Sequence, residues 1–474
     1  MQQDCSRCGR YPGLKIGGKP FGRFARTHRV DRLTLFRESR MIRLLVTLLL
    51  ALPVAARAQS MPIDTALALA YFDELRRSGS ADAGALWGRA VHGPMIFVDP
   101  SSGAIVASEA DREGLLQRQG SLWTGKLPSS VAPANTATTL GGRRYSMVMW
   151  PVPDNRYSRM RLLMHEAFHR IQDSIGLPMN NPSNAHLATR QARVWTRLEW
   201  RALAEALLRS GDERKRALRD ALTFRARRHA LSPTAAEDER QLELNEGLSE
   251  YTGLVLSGLP RAALFDRVAV QLAQYEQQES FVRNFAYATG PAYALLLDAS
   301  GTQWRRRLTT SSSLPALAAA AYAVAKNNPA DSAALIARYA AARMIADEVV
   351  RETRRIAQEA AMRSRFLDGP ILSLPVGTTF NFSFDPNGAM VLPGIGTVYA
   401  TARISDDWGT LEVSSGGVLM LRGEDGKITG VVVPGPVLSG STITGEGWKA
   451  TLSPSWSSRE RQEKGSYTVT KDDP

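Results

Sequence analysis

Two histidines spaced four residues apart, His165 and His169, constrain this chain more than any other feature. Residues four apart lie on one face of a helix, one turn from each other. On a helix, both imidazoles can therefore reach one metal ion at about 2.0–2.1 Å. Glu166 completes the pattern His-Glu-x-x-His and can take a proton from a water molecule that the metal activates. The motif predicts a zinc-dependent hydrolase.

The residues around the motif predict the helix that it needs. Apolar side chains recur at helical spacing from Met160 to Ile175, and Ser158 is a candidate N-cap. Gly176, followed by Pro178, ends the segment. We therefore expect both histidines on a long, largely buried helix.

A catalytic zinc ion needs a third protein ligand. Residues 244–251 again have a helical pattern, and Glu246 and Glu250 share one face of it. One carboxylate can bind the metal while the other accepts a hydrogen bond from a ligand histidine and so fixes the ring. A solvated helix face is the competing interpretation. Glu199 and Glu205 are alternative third ligands, and an internal ion pair explains Glu199 at least as well.

The sequence Asn-Glu-Gly-Leu-Ser-Glu-Tyr at residues 245–251 resembles the helix that supplies the glutamate ligand in gluzincin metallopeptidases, the clan of thermolysin and the zinc aminopeptidases. The resemblance implies a site with one zinc ion (Zn²⁺) bound by His165, His169 and Glu246. Glu250 would contact a ligand histidine. The fold implied is a mainly helical catalytic domain with a small mixed sheet, and the implied substrate is a peptide or protein.

Residues 287–292 are similar to the Tyr-x-x-Gly-Ala segment of the aminopeptidase branch, whose tyrosine stabilises the transition state. By this resemblance, Tyr287 would donate its hydroxyl hydrogen to the developing oxyanion. The competing interpretation is a core tyrosine that precedes a helix at residues 293–297, and Tyr293 is the second candidate donor.

The chain also departs from the aminopeptidases. A spacer of 76 residues separates His169 from Glu246, and the Gly-Ala-Met-Glu-Asn element that recognises a free amino terminus is missing. Aminopeptidase activity is therefore not predicted. The resemblance covers about residues 90–300 and points to a group of exported, peptidase-like bacterial gluzincins.

Residues 41–58 have the composition of a secretory signal peptide. Met41 and Arg43 precede an apolar run at residues 44–54, and Ala56-Arg57-Ala58 fits a cleavage site. We expect Met41 to be the true initiator, residues 1–40 to arise from a gene-start error, and the bacterial protein to be periplasmic or secreted without a stable membrane span. A chain anchored by this segment is the alternative.

The positive charge of the chain is concentrated in these N-terminal residues. The formal net charge is +13, but 47 basic and 43 acidic residues remain once residues 1–58 are excluded. Nucleic acid is therefore not an expected partner. Both cysteines, Cys5 and Cys8, also lie there, so the exported part has no disulfide.

The patterns after the signal peptide predict an α+β protein with two domains. Residues 59–367 form the gluzincin-like domain, in which strands near residues 94–100, 105–107 and 143–150 precede the motif helix. We expect residues 143–150 to be the edge strand that pairs with an extended peptide. Residues 368–474 are rich in Gly, Thr, Ser and Val and form a β-sandwich or small barrel.

Three functions are compatible with these features. The first is an exported zinc metallopeptidase with Glu166 as the general base. The second is a catalytically inactive zinc-fold protein that serves in binding or structure in the cell envelope. The third is a zinc amidase that acts on cell-wall peptides. Two histidines and one glutamate favour zinc without excluding other divalent ions.

Overall fold

The computed structural model describes residues 63–128, 131–325, 332–339, 341–384, 389–463 and 465–472. The predicted signal peptide and the residues before it lie outside these ranges. The described residues confirm the α+β prediction, because a small mixed sheet and a set of helices are followed by strands alone. Within these ranges, no helix has both the length and the apolar character needed to cross a bilayer.

A six-stranded sheet precedes the motif helix, and its two central strands are buried on both faces. Its strands are β1 (Met95–Val98), β2 (Ala104–Ala107), β3 (Gln117–Gln119), β4 (Leu122–Lys126), β5 (Thr136–Leu140) and β6 (Arg143–Met149). They are arranged in the order β3-β4-β2-β1-β6-β5, and only β1 and β6 pair in parallel. Met95 and Phe97 of β1 pack in the helical core, whereas Ile96 and Val98 pack in a second core on the opposite face. This alternation is the ordinary geometry of a strand.

The edge strands of this sheet are β3 and β5, so the expectation that residues 143–150 form an edge strand was wrong. Strand β6 lies between β1 and β5 and pairs with both. The turn between β5 and β6 contains Gly141 and Gly142 at φ of +51° and +69°, values that glycine adopts at little cost. The glycine pair therefore folds residues 136–140 back onto β6 as a hairpin and covers the edge.

The helices pack around one hydrophobic core, to which each of them contributes at least one buried side chain. They are α1 (Thr65–Asp82), α2 (Arg156–Gln172), α3 (Arg190–Leu208), α4 (Gly211–His229), α5 (Ala235–Leu242), α6 (Leu248–Val255), α7 (Arg261–Tyr275), α8 (Asn284–Ala299), α9 (Leu314–Ala321), α10 (Ser332–Arg338) and α11 (Ala341–Arg363). A π-helical turn, Glu243–Gly247, joins α5 to α6, and a second one, Ser364–Asp368, follows α11.

The motif lies on α2, as predicted, but the helix begins earlier than expected. Asn155 is the N-cap, and its side chain accepts a hydrogen bond from the backbone N–H of Ser158. Asparagine caps a helix as well as serine does. Because Asn155 takes the N-cap position, Ser158 lies in the first turn of the helix. The helix ends in a 3₁₀ turn that Gly176 closes at a φ of +76°.

A cluster of buried charges links α3, α4 and α5. Arg225 pairs with Glu199 at 2.7 Å, and it also pairs with Glu243 of the π-helical turn. Arg228 pairs with Glu199 at 2.6 Å and with Glu239 at 2.7 Å. All five side chains are at most 6% exposed, so the cluster is strongly desolvated.

Two histidines, His186 and His229, complete this cluster. His186 and His229 each place Nε2 2.9 Å from an oxygen of Glu239. Burial acts to raise the pKa of Glu239, but the positive charge of Arg228 and the hydrogen bonds from Arg228, His186 and His229 hold that pKa well below its usual value. The folded state therefore favours the ionised carboxylate.

We predict that Glu239→Gln destabilises the protein in a pH-dependent way. A depressed folded-state pKa adds stability that is fully present above the unfolded-state pKa of about 4.3 and is lost as the pH falls further. Relative to wild type, the variant should lose about 3–5 kcal/mol of unfolding free energy at pH 7, because Arg228 keeps a buried charge without its partner. Urea unfolding between pH 7 and 2.5 should show this difference shrinking below about pH 4.3. A difference independent of pH would contradict the ion pair, and Glu213→Gln on the exposed face of α4 is the control.

The C-terminal strands form two sheets that face each other. They are β7 (Ile371–Pro375), β8 (Asn381–Phe384), β9 (Met390–Leu392), β10 (Gly396–Tyr399), β11 (Ala402–Asp406), β12 (Gly409–Val413), β13 (Val418–Arg422), β14 (Ile428–Pro434), β15 (Val437–Ser439), β16 (Thr442–Gly445), β17 (Trp448–Leu452), β18 (Trp456–Glu460) and β19 (Tyr467–Lys471). One sheet has the order β18-β19-β7-β14-β13-β10-β9 and the other β15-β16-β17-β12-β11-β8. Leu374 and Val431 from the first sheet share a core with Ile404 and Leu411 from the second. The division of the chain into two domains at residue 368 stays a prediction.

Candidate metal centre

Three side chains from two helical segments meet at one point in the interior. His165 and His169 come from α2, and Glu246 comes from the first π-helical turn. The two Nε2 atoms lie 3.2 Å apart. Glu246 Oε2 lies 3.4 Å from Nε2 of His165 and 3.6 Å from Nε2 of His169. The three residues are at most 6% exposed and can together hold one metal ion.

The triangle of donor atoms has the size that a tetrahedral zinc ion requires. Zinc–ligand bonds of about 2.0–2.1 Å at tetrahedral angles place neighbouring ligand atoms roughly 3.3–3.4 Å apart. The separations in this protein are 3.2, 3.4 and 3.6 Å. Two imidazole nitrogens and one carboxylate oxygen also form the donor set of many catalytic zinc sites, which keep a fourth position open. The residues therefore fit the ion that the sequence predicts.

Each histidine is oriented by a second contact at its Nδ1 atom. His165 Nδ1 lies 3.4 Å from Glu250 Oε2. His169 Nδ1 lies 2.9 Å from Gln172 Oε1 and 3.3 Å from Ser249 Oγ. Such contacts keep the ring proton on Nδ1 and leave the Nε2 lone pair for a metal. Glu250 thus lies beside His165, the first histidine of the motif.

Glu250 is itself held by charges and hydrogen bonds. Arg161 Nε donates to Glu250 Oε1 at 2.6 Å, and Gln271 Nε2 donates to the same oxygen at 3.0 Å. Burial acts to raise the pKa of Glu250, but Arg161 and His165 outweigh it and lower the pKa to about 2. Burial lowers the pKa of His165, but its hydrogen bonds with Glu246 and Glu250 dominate and raise that pKa to about 10. The carboxylates of Glu246 and Glu250 therefore favour a positive charge at His165.

Glu166 lies beside the triangle without belonging to it. Its Oε1 atom is 4.0 Å from His165 Nε2, and the residue is 4% exposed. Burial raises the pKa of Glu166 by more than the two neighbouring imidazoles lower it. Its Oε2 atom is buried and has no hydrogen-bond partner among the described residues. A carboxylate oxygen in this position is free to accept a proton from a water molecule at the metal.

Glu246 reaches the histidines because the helix that carries it is locally widened. The π-helical turn Glu243–Gly247 inserts between α5 and α6, and such turns are frequent at functional sites. The turn packs against α8 where two glycines meet. A Cβ atom on Gly290 would lie 2.3 Å from the Cα atom of Gly247, and one on Gly247 would lie 2.9 Å from the Cα atom of Gly290. Only glycine allows the two backbones to approach this closely.

We predict that Gly290→Ala weakens metal binding as well as the fold. The new methyl group must push the π-helical turn away from α8, which should cost about 1–3 kcal/mol and displace Glu246. Zinc affinity measured with a chromophoric chelator and urea unfolding should therefore both fall. The control is Ala299→Gly at the exposed end of α8, which lowers stability by about 1 kcal/mol through helix propensity and should leave zinc affinity unchanged. Equal zinc affinity in Gly290→Ala and wild type would contradict the role of the glycine contact.

Two half-buried side chains, Tyr287 of α8 and Arg283 immediately before that helix, flank the carboxylate of Glu246. The hydroxyl of Tyr287 donates to Oε2, and the Tyr287 ring stacks on that of His165 with centroids 5.6 Å apart. Arg283 Nη2 donates to Oε1 at 2.5 Å. The Arg283 side chain is 32% exposed, so the solvent-facing side of the site lies here. Tyr287 does not precede a helix at residues 293–297. It lies inside α8, which begins at Asn284 and continues through Pro291.

The other candidates lie away from the triangle. The hydroxyl of the fully buried Tyr293 donates to Glu199 Oε1 at 2.7 Å, so both residues belong to the buried charge cluster. Glu205 pairs with Arg216 at 3.2 Å. These contacts favour Glu246 over Glu199 and Glu205 as the third ligand.

Four polar residues beside the site were not assigned from the sequence: Arg161, Gln172, Asn245 and Arg283. Spacing gives a signal for two of them, because Arg161 precedes His165 by four residues and Arg283 precedes Tyr287 by four, which places each pair on one helix face. Gln172 and Asn245 connect to each other through a hydrogen bond of 3.2 Å across two helical segments. A contact of that kind has no signal in sequence spacing.

No protein-family model, curated protein or solved structure matches the chain. The site therefore has to be interpreted from its own geometry and chemistry.

Proposed function

We propose that this chain is a zinc-dependent metallopeptidase of the gluzincin type. The observation that carries the proposal is the triangle of His165 Nε2, His169 Nε2 and Glu246 Oε2, with sides of 3.2, 3.4 and 3.6 Å. The unpartnered Oε2 of Glu166 beside it supplies the base that hydrolysis needs. A purely structural zinc site has four protein ligands, and this group offers three.

The residues of the chain divide the work of amide hydrolysis. A bound zinc ion supplies a water molecule whose pKa is lowered toward about 7 and polarises the carbonyl group. Glu166 takes the proton of the attacking water at Oε2 and passes it to the leaving amine. Glu250 and Gln172 keep the rings of His165 and His169 oriented throughout.

Tyr287 is the proposed donor to the oxyanion. Its hydroxyl donates a hydrogen bond to Glu246 Oε2. This is the oxygen that faces both histidines and to which a metal ion would bind. If Glu246 Oε2 held a metal ion, the Tyr287 hydroxyl hydrogen would be available to the substrate oxygen. Stacking on His165 holds the ring in place for this role.

The proposed substrate is a peptide in an extended conformation. Strand β5 is the terminal strand next to β6, and both strands pack on α2. A peptide paired with the outer edge of β5 would be bound through its main chain, which tolerates many sequences. Together with the predicted signal peptide, this supports an exported protease in the periplasm or medium of a bacterium.

We predict that Glu166→Gln retains zinc and loses peptidase activity. The amide cannot take the proton, so turnover should fall by about 10²–10⁴-fold or more, while all three ligands remain. The full-length wild type and variant should be compared for zinc content, unfolding midpoint and cleavage of a broad peptide library. Undiminished cleavage by the variant would contradict the role of Glu166. A wild type that binds zinc but cleaves no peptide would favour the inactive binding protein.

A further inference from the structure

A chain of hydrogen bonds leaves the metal centre at His169. The Nδ1–H group of His169 donates to Gln172 Oε1 at 2.9 Å, and Gln172 Nε2 donates to Asn245 Oδ1 at 3.2 Å. Asn245 Nδ2 then donates to Asn181 Oδ1 at 3.1 Å and to the backbone oxygen of Asn180 at 3.0 Å. Gln172 and Asn245 are at most 1% exposed.

The same chain of hydrogen bonds returns to the metal centre at Glu246. Arg283 Nη1 donates to Asn181 Oδ1 at 3.0 Å, and Arg283 Nη2 donates to Glu246 Oε1 at 2.5 Å. Every donor in the series faces an acceptor, so the contacts are compatible in one set of amide orientations. We call this series the ligand ring; four side chains connect His169 to the carboxylate of Glu246, namely Gln172, Asn245, Asn181 and Arg283.

We propose that Arg283 and Asn181 are positioning residues that set how Glu246 binds the metal. This inference rests on the proposed metal centre. Arg283 Nη2 donates a hydrogen bond to Oε1 of Glu246. The other oxygen, Oε2, faces the two histidines and lies 3.4 Å from Nε2 of His165 and 3.6 Å from Nε2 of His169. The arginine therefore selects coordination through a single oxygen, which keeps the remaining position open for water and substrate.

The chemistry of the two residues supports this assignment. A guanidinium group has several donors in a fixed plane, so Arg283 can bridge Glu246 and Asn181 at once, which a lysine ammonium does with less geometric control. Asn181 is exposed and lies in the loop between α2 and α3, where packing places little demand on it. Its side-chain oxygen nevertheless accepts from both Asn245 and Arg283. Asn181 thus closes the ligand ring from the surface.

The first test replaces the exposed member of the ring in the full-length protein. Asn181→Ala removes the oxygen that accepts from both Asn245 and Arg283. It should leave the unfolding midpoint close to that of wild type, and it should weaken zinc binding about three- to tenfold, because water partly replaces the lost acceptor at this exposed position. Zinc affinity is measured by competition with a chromophoric chelator, which needs no substrate. Ser183→Ala, an exposed change in the same loop, is the control and should bind zinc as wild type does. Wild-type affinity in Asn181→Ala would overturn the role of Asn181.

The second test replaces the arginine. Arg283→Gln should weaken zinc binding about 10- to 100-fold, as loss of a contact to a ligand typically does, and Arg283→Lys should fall between it and wild type. Arg305→Gln is the matched control, because Arg305 also pairs with a buried carboxylate, that of Asp298. The exposed fractions of the two side chains are 28% and 6% in that pair, and 32% and 5% in the pair of Arg283 and Glu246. The control should lose stability without losing zinc affinity.

Cobalt replaces zinc in a spectroscopic version of this test. Four-coordinate Co²⁺ absorbs visible light more strongly than five-coordinate Co²⁺, so a second oxygen of Glu246 on the metal lowers the absorbance. We expect weaker bands in Arg283→Gln and Arg283→Lys and wild-type bands in Arg305→Gln. Unchanged zinc affinity and unchanged cobalt bands in Arg283→Lys would overturn the inference. The lysine variant gives this answer even if Arg283→Gln does not fold.

The two proposals fail in different ways. If the wild type binds no metal, both the proposed function and the proposed roles of Arg283 and Asn181 are contradicted. If the wild type binds one equivalent of zinc and the Asn181 and Arg283 variants bind it equally well, the inference fails and the proposed metallopeptidase stands.

Discussion

The structure depends on the meeting of two imidazole nitrogens and one carboxylate oxygen in the protein interior. Burying Glu246 away from water is costly unless positive or hydrogen-bonding groups surround it. His165, His169, Tyr287 and Arg283 supply those groups. Close packing of α2 against α6 helps to bring these groups together. The two helices approach so closely that a Cβ atom on Gly253 would lie 2.3 Å from the backbone oxygen of Arg161.

Buried charges outside the site hold the same elements in place. The π-helical turn is fixed at its first residue, where Glu243 pairs with Arg225 and accepts from Thr289 Oγ1 at 2.5 Å. Three residues later, the turn presents Glu246 to the histidines. The π-helical turn therefore joins the cluster around Arg225 and Arg228 and the candidate metal centre into one assembly of buried polar groups. Such an assembly suits a catalyst, because its groups must be held in place before the substrate arrives.

The sequence predicted that His165 and His169 meet, because helix geometry alone brings their side chains together. Glu246 was predicted by resemblance and proximity to Glu250, but the π-helical turn was not, since one extra residue in a helix leaves no mark on apolar spacing. The edge strand was misplaced, because pairing partners are decided by tertiary contacts and not by the strand itself. Gln172 was not assigned to the site, because its contact with His169 becomes visible only in three dimensions.

The most direct test of the central claim is the zinc content of the full-length protein after equilibrium dialysis, measured for wild type and for the double variant His165→Ala/His169→Ala. The account predicts one zinc ion per wild-type chain and none in the variant, because a single remaining carboxylate cannot hold the ion. A wild type without bound zinc, or a variant that retains one full equivalent, would contradict it.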